Sequence, residues 1–171
     1  MPKYVRLNVE DHRVLDGGNK VEDVTTIDLP TLEHPTSEAK AAGMVMDVDV
    51  PNMYHYNAAE LGINHNNGTN GHLLAAPGVH DIETRVARDV YDTTAGVTDL
   101  ELVKVRCKCI HKSTEKGSIE AGNPMGSTEK YSILRYEEEV KGEVTTLIDS
   151  TAGIIRINGV DYSSKLKSLL D

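Results

Sequence analysis

The sequence predicts a mainly β protein, a β-sandwich or barrel with one packed α-helix, on three observations. Apolar residues alternate with polar residues in most of the patterned segments, which is typical of half-buried strands. Turn signals such as Lys141-Gly142 and Asn158-Gly159 separate these segments. Helical spacing is clear in one internal segment and does not alternate with strands, which excludes a doubly wound α/β sheet.

The length favours a single domain over residues 1–171. A chain of 171 residues and 18.7 kDa buries about 70% of its unfolded surface on folding, so a core forms without metals or disulfides. Trp and Phe are absent and Tyr is the only aromatic residue. The core must therefore consist mainly of Val, Ile, Leu and Met.

The first half of the chain contains three predicted strands. Residues 24–29 form a short β-branched strand that Pro30 ends. Residues 43–50 alternate between apolar side chains and acidic ones, which predicts a half-buried strand. Residues 53–58 follow the Pro51-Asn52 turn signal and are expected to return as the partner strand of a hairpin.

The second half contains the strongest strand pattern, over residues 101–110. Residues 130–140 and 143–149 form a predicted hairpin, and residues 153–157 form a short last strand. The apolar sides of these elements define the predicted core, which consists of Met44, Met46, Val48, Val103, Val105, Cys107, Cys109, Leu134, Ile82, Val86 and Val90.

Residues 78–92 are the best predicted helix, and residues 161–170 a short terminal one. Apolar residues recur at helical spacing from Val79 to Val90, and Asp81 suits the positive end of the helix dipole. The opposite side of the helix is polar and carries Glu83, Arg85, Arg88 and Asp89.

Two long polar segments, 62–76 and 112–129, interrupt the patterned strands. Long ordered loops in a compact chain are usually functional or interface-forming. We therefore expect both segments to contact neighbouring molecules.

The charge balance excludes several classes of function. There are 18 basic and 27 acidic residues, which gives a net charge of −9 and no basic run of the kind that nucleic-acid-reading or membrane-surface proteins carry. No window approaches 18 apolar residues, and the first residues lack the apolar region of a signal peptide. Cys107 and Cys109 are badly placed to bridge each other on one strand, which favours reduced thiols and synthesis in the cytoplasm.

No residue pattern indicates a catalytic, cofactor or metal site. The seven His are scattered, with no pair four residues apart on the predicted helix. Neither a Gly-rich phosphate loop nor a Gly-x-Ser-x-Gly elbow is present. Asp47 and Asp49, like Glu137 and Glu139, are explained by the wet face of a strand. An enzyme or a small-ligand module remains an alternative with little support.

The main strands have one apolar face and one densely charged face of mixed sign. Open antiparallel edges also need cover. A sheet whose polar face lines a pore, closed by neighbouring subunits, would satisfy both conditions.

Several motifs resemble the major tail tube proteins of contractile phage tails and R-type bacteriocins such as pyocins. The first are Leu29-Pro30-x-Leu32 and Ala42-Gly43-Met44. The late segments are Thr146-Leu147-Ile148-Asp149 and the run from Gly153 to Asp161, which ends in INGVD before the terminal helix and is the most specific. The order of elements agrees over nearly the whole chain.

The resemblance implies a structural, non-enzymatic subunit that forms hexameric rings. The rings stack into a rigid tube inside a contractile sheath, and each subunit contributes strands to a continuous inner β-barrel. The implied partners are other copies of the chain, the sheath protein, the baseplate, the tail terminator and a tape measure protein in the lumen. DNA passes without specific binding if the particle is a phage, no membrane anchor is needed, and the protein resides in a virion tail or bacteriocin particle after assembly in the host cytoplasm.

The resemblance also assigns candidate surfaces to the charged residues. The expected lumen-facing residues are Asp47, Asp49, Lys104, Arg106, Lys108, Arg135, Glu137 and Glu139. An acidic wall would repel DNA phosphates, yet this set sums to zero. The expected sheath-facing residues are those on the polar side of the predicted helix: Glu83, Arg85, Arg88 and Asp89. An Hcp-like secretion tube ring is the nearest alternative, and the INGVD segment weakly favours the phage-type family.

Overall fold

A computed structural model gives the structure of the protein and describes residues 3–66 and 74–171. These residues form a mainly β fold, as predicted, with one short helix in the described elements. The strands and the helix are β1 (Tyr4–Asp16), β2 (Asn19–Val21), β3 (Val24–Asp28), β4 (Thr36–Ala39), β5 (Val48–Pro51), β6 (Glu60–His65), β7 (Val79–Asp92), β8 (Val97–Glu115), β9 (Ser127–Val140), β10 (Glu143–Asp149), β11 (Ile154–Ile157), β12 (Val160–Asp161) and α1 (Ser164–Leu170).

Ten of the described strands form one antiparallel sheet. Its main path runs in the order β12-β11-β10-β9-β8-β7-β1-β2, so that consecutive strands are mostly neighbours. Its centre is the β7–β8 hairpin, whose register is unbroken from the Val79–Ile110 pair to the Asp92–Val97 pair. Strands β4 and β5 form a separate two-stranded hairpin.

Strand β9 divides the sheet into two branches. Its second half pairs with β10, whereas its first half, from Ser127 to Ser132, pairs with β6, which in turn pairs with β3. Leu61 and Ile63 of β6 belong to the same buried cluster as Val103 and Val105 of β8. The β3–β6 branch therefore folds over one face of the main sheet, and the core lies between the two layers.

The predicted helix over residues 78–92 is wrong, because this segment is strand β7. Its apolar residues fit helical spacing, but Ile82, Thr84, Val86 and Val90 also share one parity and are β-branched, which favours a strand. Pairing with β8 on one side and β1 on the other satisfies its backbone and decides the structure. The fold therefore lacks the predicted packed internal helix.

The predicted strand over residues 43–50 is shorter than expected, and its assignment to the core is wrong. Only its end belongs to a strand, β5, which pairs with the preceding β4 rather than with residues 53–58, where the structure has no strand. Met44, Met46 and Val48 are exposed, because the β4–β5 hairpin pairs with no other strand.

Several other boundaries differ from those predicted. Strands β1 and β6 were not predicted, and residues 62–65 lie in β6 rather than in a loop. Strands β8 and β9 extend into the segment 112–129, so that only residues 116–126 connect them. The remaining part of the other predicted loop, 67–73, lies outside the described residues. The terminal helix is confirmed, although it begins at Ser164.

The predicted core on the second half of the chain is confirmed. Val103, Val105, Cys107 and Cys109 are buried along one side of β8, and Leu134 is half-buried. On β7, Ile82 and Val90 are buried and Val86 is partly buried, through strand alternation rather than a helical stripe. Burying an apolar side chain of this size contributes about 1.5–3 kcal/mol.

Helix α1 packs on the same side of the sheet as this core. Leu166 lines an apolar cavity of about 360 Å³ with Tyr136, Ile148 and Ile155. These three side chains belong to the face of β9, β10 and β11 that is opposite to the charged residues of the same strands. The helix and the charged residues therefore lie on opposite sides of the sheet.

The Val105→Asp variant is expected to lower the free energy of unfolding by more than about 3 kcal/mol, because it buries an unpaired carboxylate. Val105 is 3% exposed. Urea denaturation followed by circular dichroism measures the change. Val160→Asp, at an exposed position, is the control and is expected to leave stability within about 0.5 kcal/mol. Equal stability of the two variants would contradict this assignment of the inward face.

Candidate functional site

The charged residues of four neighbouring strands share one side of the main sheet. Because the registers of β7, β8, β9 and β10 keep these positions opposite one another, their side chains point in the same direction. We call this surface the charged face, and it consists of Asp81, Glu83, Arg85, Lys104, Arg106, Lys108, Arg135, Glu137, Glu139 and Asp149.

Arg106 is the centre of the charged face and contacts three carboxylates. Its Nε donates a hydrogen bond to Glu83 Oε2 at 3.0 Å. Its Nη1 donates to Glu137 Oε1 at 2.6 Å and to Glu139 Oε2 at 2.8 Å. The guanidinium therefore ties β7 to β9 across β8, and these charge-assisted bonds raise the pKa of Arg106.

Further ion pairs extend the network on both sides. Arg135 Nη2 donates to Glu137 Oε2 at 2.7 Å, and its Nε lies 4.0 Å from Asp149 Oδ2. Lys104 Nζ lies 3.5 Å from Glu139 Oε1. Arg85 Nε donates to Glu83 Oε1 at 2.5 Å. Four acids and four bases thus form one connected group around Arg106.

Ion pairing favours the ionised forms of the acidic side chains in this network. The hydrogen bond from Arg106 lowers the pKa of Glu139 below its ordinary value of 4.5. Partial burial acts in the opposite direction on Glu83, but hydrogen bonds from Arg85 and Arg106 still lower its pKa. Glu83 and Glu139 therefore stay ionised to lower pH than free carboxylates.

Six of the eight residues predicted to face a lumen lie on the charged face: Lys104, Arg106, Lys108, Arg135, Glu137 and Glu139. The structure does not bring Asp47 and Asp49 to them, because both belong to the β4–β5 hairpin region. Asp47 instead forms an ion pair with Lys40, at 3.6 Å. The lumen-facing role of all eight residues stays a prediction.

The four residues predicted to face a sheath do not share a surface. Glu83, Arg85 and Asp89 point to the same side as the charged face, because they occupy odd positions of β7. Arg88 points to the other side, where its guanidinium hydrogen-bonds to the buried carboxylate of Glu101. The helix that grouped these four residues is replaced by a strand, so alternation separates them.

Sequence reasoning missed four members of the charged face: Asp81, Glu83, Arg85 and Asp149. The signal that could have found the β7 residues is their spacing of two, which is the same as that of the charged residues on β8. Asp149 ends β10 and joins the network through its register partner Arg135.

Glu101 forms a second ionic cluster, on the opposite side of the sheet. Its side chain is almost fully buried and contacts Arg6, Arg88 and Lys141. Arg88 Nε donates to Glu101 Oε1 at 2.8 Å and Arg6 Nε at 3.2 Å. The cluster closes the far end of the apolar face, where β1, β7 and β8 extend beyond the β3–β6 branch.

A third polar cluster lies in the core around Tyr131, which is fully buried. The His80 ring is hydrogen-bonded to Asp16 Oδ2 and to the carbonyl oxygen of Ala76, both at 2.7 Å. Because both partners are acceptors, both ring nitrogens donate, and His80 is the imidazolium. The Tyr131 hydroxyl donates to the carbonyl oxygen of Leu74 at 2.8 Å.

The third cluster resembles a catalytic arrangement only superficially. His80 Nε2 is occupied by a backbone carbonyl, so the ring has no free nitrogen with which to activate a nucleophile. Burial raises the pKa of both Cys107 and Cys109 to about 12, so their thiols are unreactive near neutral pH. In the part of the chain that the structure describes, no three His, Cys, Asp or Glu residues are grouped to hold a metal ion.

Helix α1 has seven residues. Among the described residues, no helix reaches the length and apolar character that crossing a membrane requires.

Comparison with known protein families identifies the class of protein to which this chain belongs. A model of the family described as phage tail tube protein FII matches residues 12–170. The chain belongs to this family. It is a structural subunit of a tail tube, and the resemblance found in the sequence is confirmed.

Solved structures support the tail tube fold independently of close sequence similarity. A chain from the cryo-EM structure of the sheath/tube terminator of PVC, an extracellular contractile injection system, is similar with a TM-score of 0.55 and 12% identity, over 78% of this chain and 96% of that chain. A chain from the PVC sheath-tube complex in the extended state gives a TM-score of 0.54 and 13% identity, over 78% and 90%. A comparison with curated proteins found no match.

The Arg106→Met variant of this tube subunit is expected to lose about 1–3 kcal/mol of unfolding free energy at pH 7, because it leaves three carboxylates without their shared cation. The lowered pKa values of Glu83 and Glu139 contribute stability above their ordinary value of 4.5, which is lost as the pH falls through the lowered values. The difference between variant and wild type should therefore shrink below about pH 4.

Lys108→Met is the matched control for Arg106→Met, because Lys108 lies on the same strand face and makes no ion pair within residues 3–66 and 74–171. It should change stability by less than about 0.5 kcal/mol. Urea denaturation between pH 3.5 and 7 measures both variants. A pH-independent loss in Arg106→Met would contradict the ion-pair explanation.

The buried His80 is expected to make the tube subunit less stable in mildly alkaline solution. Burial alone lowers the pKa of His80, but the Ala76 and Asp16 acceptors raise it above its ordinary value of 6.5. Its contribution is complete below pH 6.5 and is lost as the pH rises through the raised value. Wild type should therefore lose stability between pH 6 and pH 9 in thermal unfolding, and His80→Gln should not. His12→Gln is the control, and an unchanged pH profile in His80→Gln would contradict the assignment.

Proposed function

We propose that this tail tube subunit forms hexameric rings that stack into the inner tube of a contractile injection system, with the charged face as the wall of the central channel. The observation that carries the proposal is the asymmetry of the main sheet. One face is apolar and covered by the β3–β6 branch and α1, whereas the charged face has no covering layer among the described residues. A continuous polar surface on a curved sheet is what the wall of a wet channel requires.

Unpaired strand edges support assembly through neighbouring subunits. Strand β2 pairs only with the end of β1, from Val14 to Asp16, so residues 4–13 have no strand on that side within the described ranges. At the other edge, β12 covers only Arg156 and Ile157 of β11. Open edges attract further strands, and a closed ring of subunits would satisfy them.

The β4–β5 hairpin is suited to contact a second copy of the chain. It carries exposed apolar side chains at Met44, Val45, Met46, Val48 and Val50. An isolated two-stranded hairpin is only marginally stable in water. Docking against a neighbouring subunit, in the same ring or in the next, would bury this surface and fix its conformation. The exposed Ile119 gives the 112–129 segment a similar contact role.

The surface opposite the charged face is proposed to meet the sheath. In this arrangement Glu83, Arg85 and Asp89 lie on the side of the channel wall. They therefore do not contact the sheath. Helix α1 lies on the outer side, where Leu169 and Leu170 are exposed. The PVC structures that this fold resembles include a sheath-tube complex and a sheath/tube terminator, which supports sheath and terminator partners. A baseplate is a further partner in this proposal. A tape measure protein in the lumen, and passage of DNA in a phage, complete the proposal.

Negative-stain electron microscopy of the purified protein at high concentration and neutral pH tests the assembly. Wild type is expected to form rings or tubes with a central hole, alone or after addition of a purified baseplate as a template. The double variant Met44→Asp, Met46→Asp should fold with an unchanged melting temperature but form no tubes, because both side chains are exposed in the subunit and buried on docking.

Leu169→Asp is the matched control, since it places the same charge on the proposed outer surface and should leave the tubes unchanged. Normal tubes in the hairpin variant would show that the hairpin is not a contact. Monomers of the wild type even with a baseplate template would contradict the tube assembly.

A further inference from the structure

The two layers of the sandwich are open on one side, where each layer ends in an edge strand. Among the described residues, β1 has no neighbouring strand beside residues 4–13, and β3 pairs with β6 alone. A groove of about 410 Å³ lies between these two edges. Its apolar lining comes from β1, β3, β7 and β8 and consists of Val9, Ile27, Leu29, Val86, Val103 and Val105.

The groove leaves apolar side chains in contact with water. Val103 and Val105 on its floor are buried, but Val9 on one wall is 61% exposed and Leu29 on the other is 50% exposed. Protein interiors are close-packed, and an exposed apolar patch of this kind marks an interaction site. The groove is therefore suited to receive an apolar element.

The two charged side chains in the lining of the groove, Arg88 and Glu138, do not call for a charged ligand. They are opposite in sign, and each already has a partner. Arg88 Nε donates a hydrogen bond to Glu101 Oε1 at 2.8 Å. Glu138 Oε2 accepts a hydrogen bond from the Tyr136 hydroxyl at 3.1 Å. What the groove lacks is therefore apolar cover.

The β4–β5 hairpin is an element of the same chain whose residue pattern requires such cover. Its apolar residues occupy alternate positions with Asp47 and Asp49 between them, and they are 43–74% exposed: Met44, Met46, Val48 and Val50. Alternation of this kind is typical of a segment with one covered side.

The hairpin projects from the subunit on a paired stem. The Asn57 amide donates to the carbonyl oxygen of Glu33, and the Asn52 amide donates to that of Pro35, both at 2.8 Å. Every residue from 40 to 55 is exposed, and neither β4 nor β5 pairs with another of the described strands. The subunit thus presents an apolar arm with nothing packed against its apolar side.

We propose that the β4–β5 hairpin of one subunit seats its apolar side in the groove between β1 and β3 of a second copy. The inference rests on the proposed function, in which the hairpin contacts a neighbouring subunit, and it assigns the surface that receives the hairpin. Each subunit has one such hairpin and one such groove. The contact is therefore head-to-tail, and contacts of this kind close into rings or continue as helical stacks.

The size of the two surfaces agrees with a specific contact. Strands β4 and β5 and their connection provide about 16 residues, and the groove with the free stretch of β1 provides about 20, which approaches the 20–30 residues a side of a stable interface. Burial of the apolar side of the hairpin against Val9 and Leu29 removes apolar surface from water on both copies, which favours association.

A photo-crosslinker identifies the surface that receives the hairpin. Benzophenone maleimide is attached at the exposed position of Met46→Cys, whereas Cys107 and Cys109 are buried and do not react. The labelled subunit is mixed with ¹⁵N-labelled wild type and irradiated, and adducts between light and heavy peptides are located by mass spectrometry. They should fall on the groove strands of the heavy chain, within residues 5–12, 24–29 and 84–88.

Leu169→Cys, on α1, is the matched control for the crosslinker, and it should give no adducts on these segments. Adducts of Met46→Cys on another surface, or on its own chain alone, would overturn the inference, and so would the absence of any adduct with the heavy chain. The reaction is run on tubes and on concentrated subunits. Failure to form tubes would therefore contradict the proposed function alone, because the adducts still decide where the hairpin docks.

The double variant Val9→Asp, Leu29→Asp tests the groove in assembly. Both side chains are exposed in the subunit, so the melting temperature should not change. The concentration at which tubes form should rise about tenfold or more, because docking would bury two unpaired carboxylates. Leu169→Asp, Leu170→Asp is the matched control, since both positions are exposed on α1, and it should form tubes as wild type does.

Mixing two blocked variants separates docking from tube formation. Val9→Asp, Leu29→Asp retains an intact hairpin, and Met44→Asp, Met46→Asp retains an intact groove. Each should sediment as a monomer on its own, and an equimolar mixture should sediment as a dimer, because it contains one working contact. A mixture without a dimer, or normal tubes from the groove variant alone, would overturn the inference.

Discussion

The unbroken register between β7 and β8 is the constraint on which the rest of the structure depends. Because successive side chains of a strand point to opposite faces, a one-residue shift would move Val103, Val105 and Cys107 to the solvent and bring Lys104 and Arg106 into the core. The same register places Arg106 opposite Glu83, and the β8–β9 register places it opposite Glu137. Core and charged face are therefore two consequences of one alignment.

The ion-pair network and the core support each other across the sheet. Burial of alternate residues on β8 fixes the strand positions, and this brings the carboxylates of β7 and β9 within hydrogen-bond distance of one guanidinium. In turn, like charges that lie directly opposite, such as Lys108 and Arg135, are tolerated because neighbouring carboxylates hold Arg135. This arrangement lets acidic and basic side chains share one side of the sheet.

Much of this could be predicted from the sequence, because alternation on β8 and β9 is strict and its physical basis is local. The fold class, the inward side of β8, the β9–β10 hairpin and six residues of the charged face follow from period two alone. The pattern of residues 78–92 predicts a helix, because Ile82, Val86 and Val90 fit both the helical and the strand period. Only pairing with β1 and β8 decides between the two. The sequence places Met44 and Met46 in the core, because alternation shows which face of a strand is apolar. It does not show whether the same chain or a neighbouring molecule covers that face.

The central claim is that the charged face lines the channel and α1 lies outside, and a cryo-EM helical reconstruction of the assembled protein tests it most directly. The account predicts that Arg106, Glu137 and Glu139 lie nearest the tube axis and that Leu169 lies on the outer surface. A reconstruction in which α1 faces the channel, or in which the Arg106 network is buried between subunits, would contradict it.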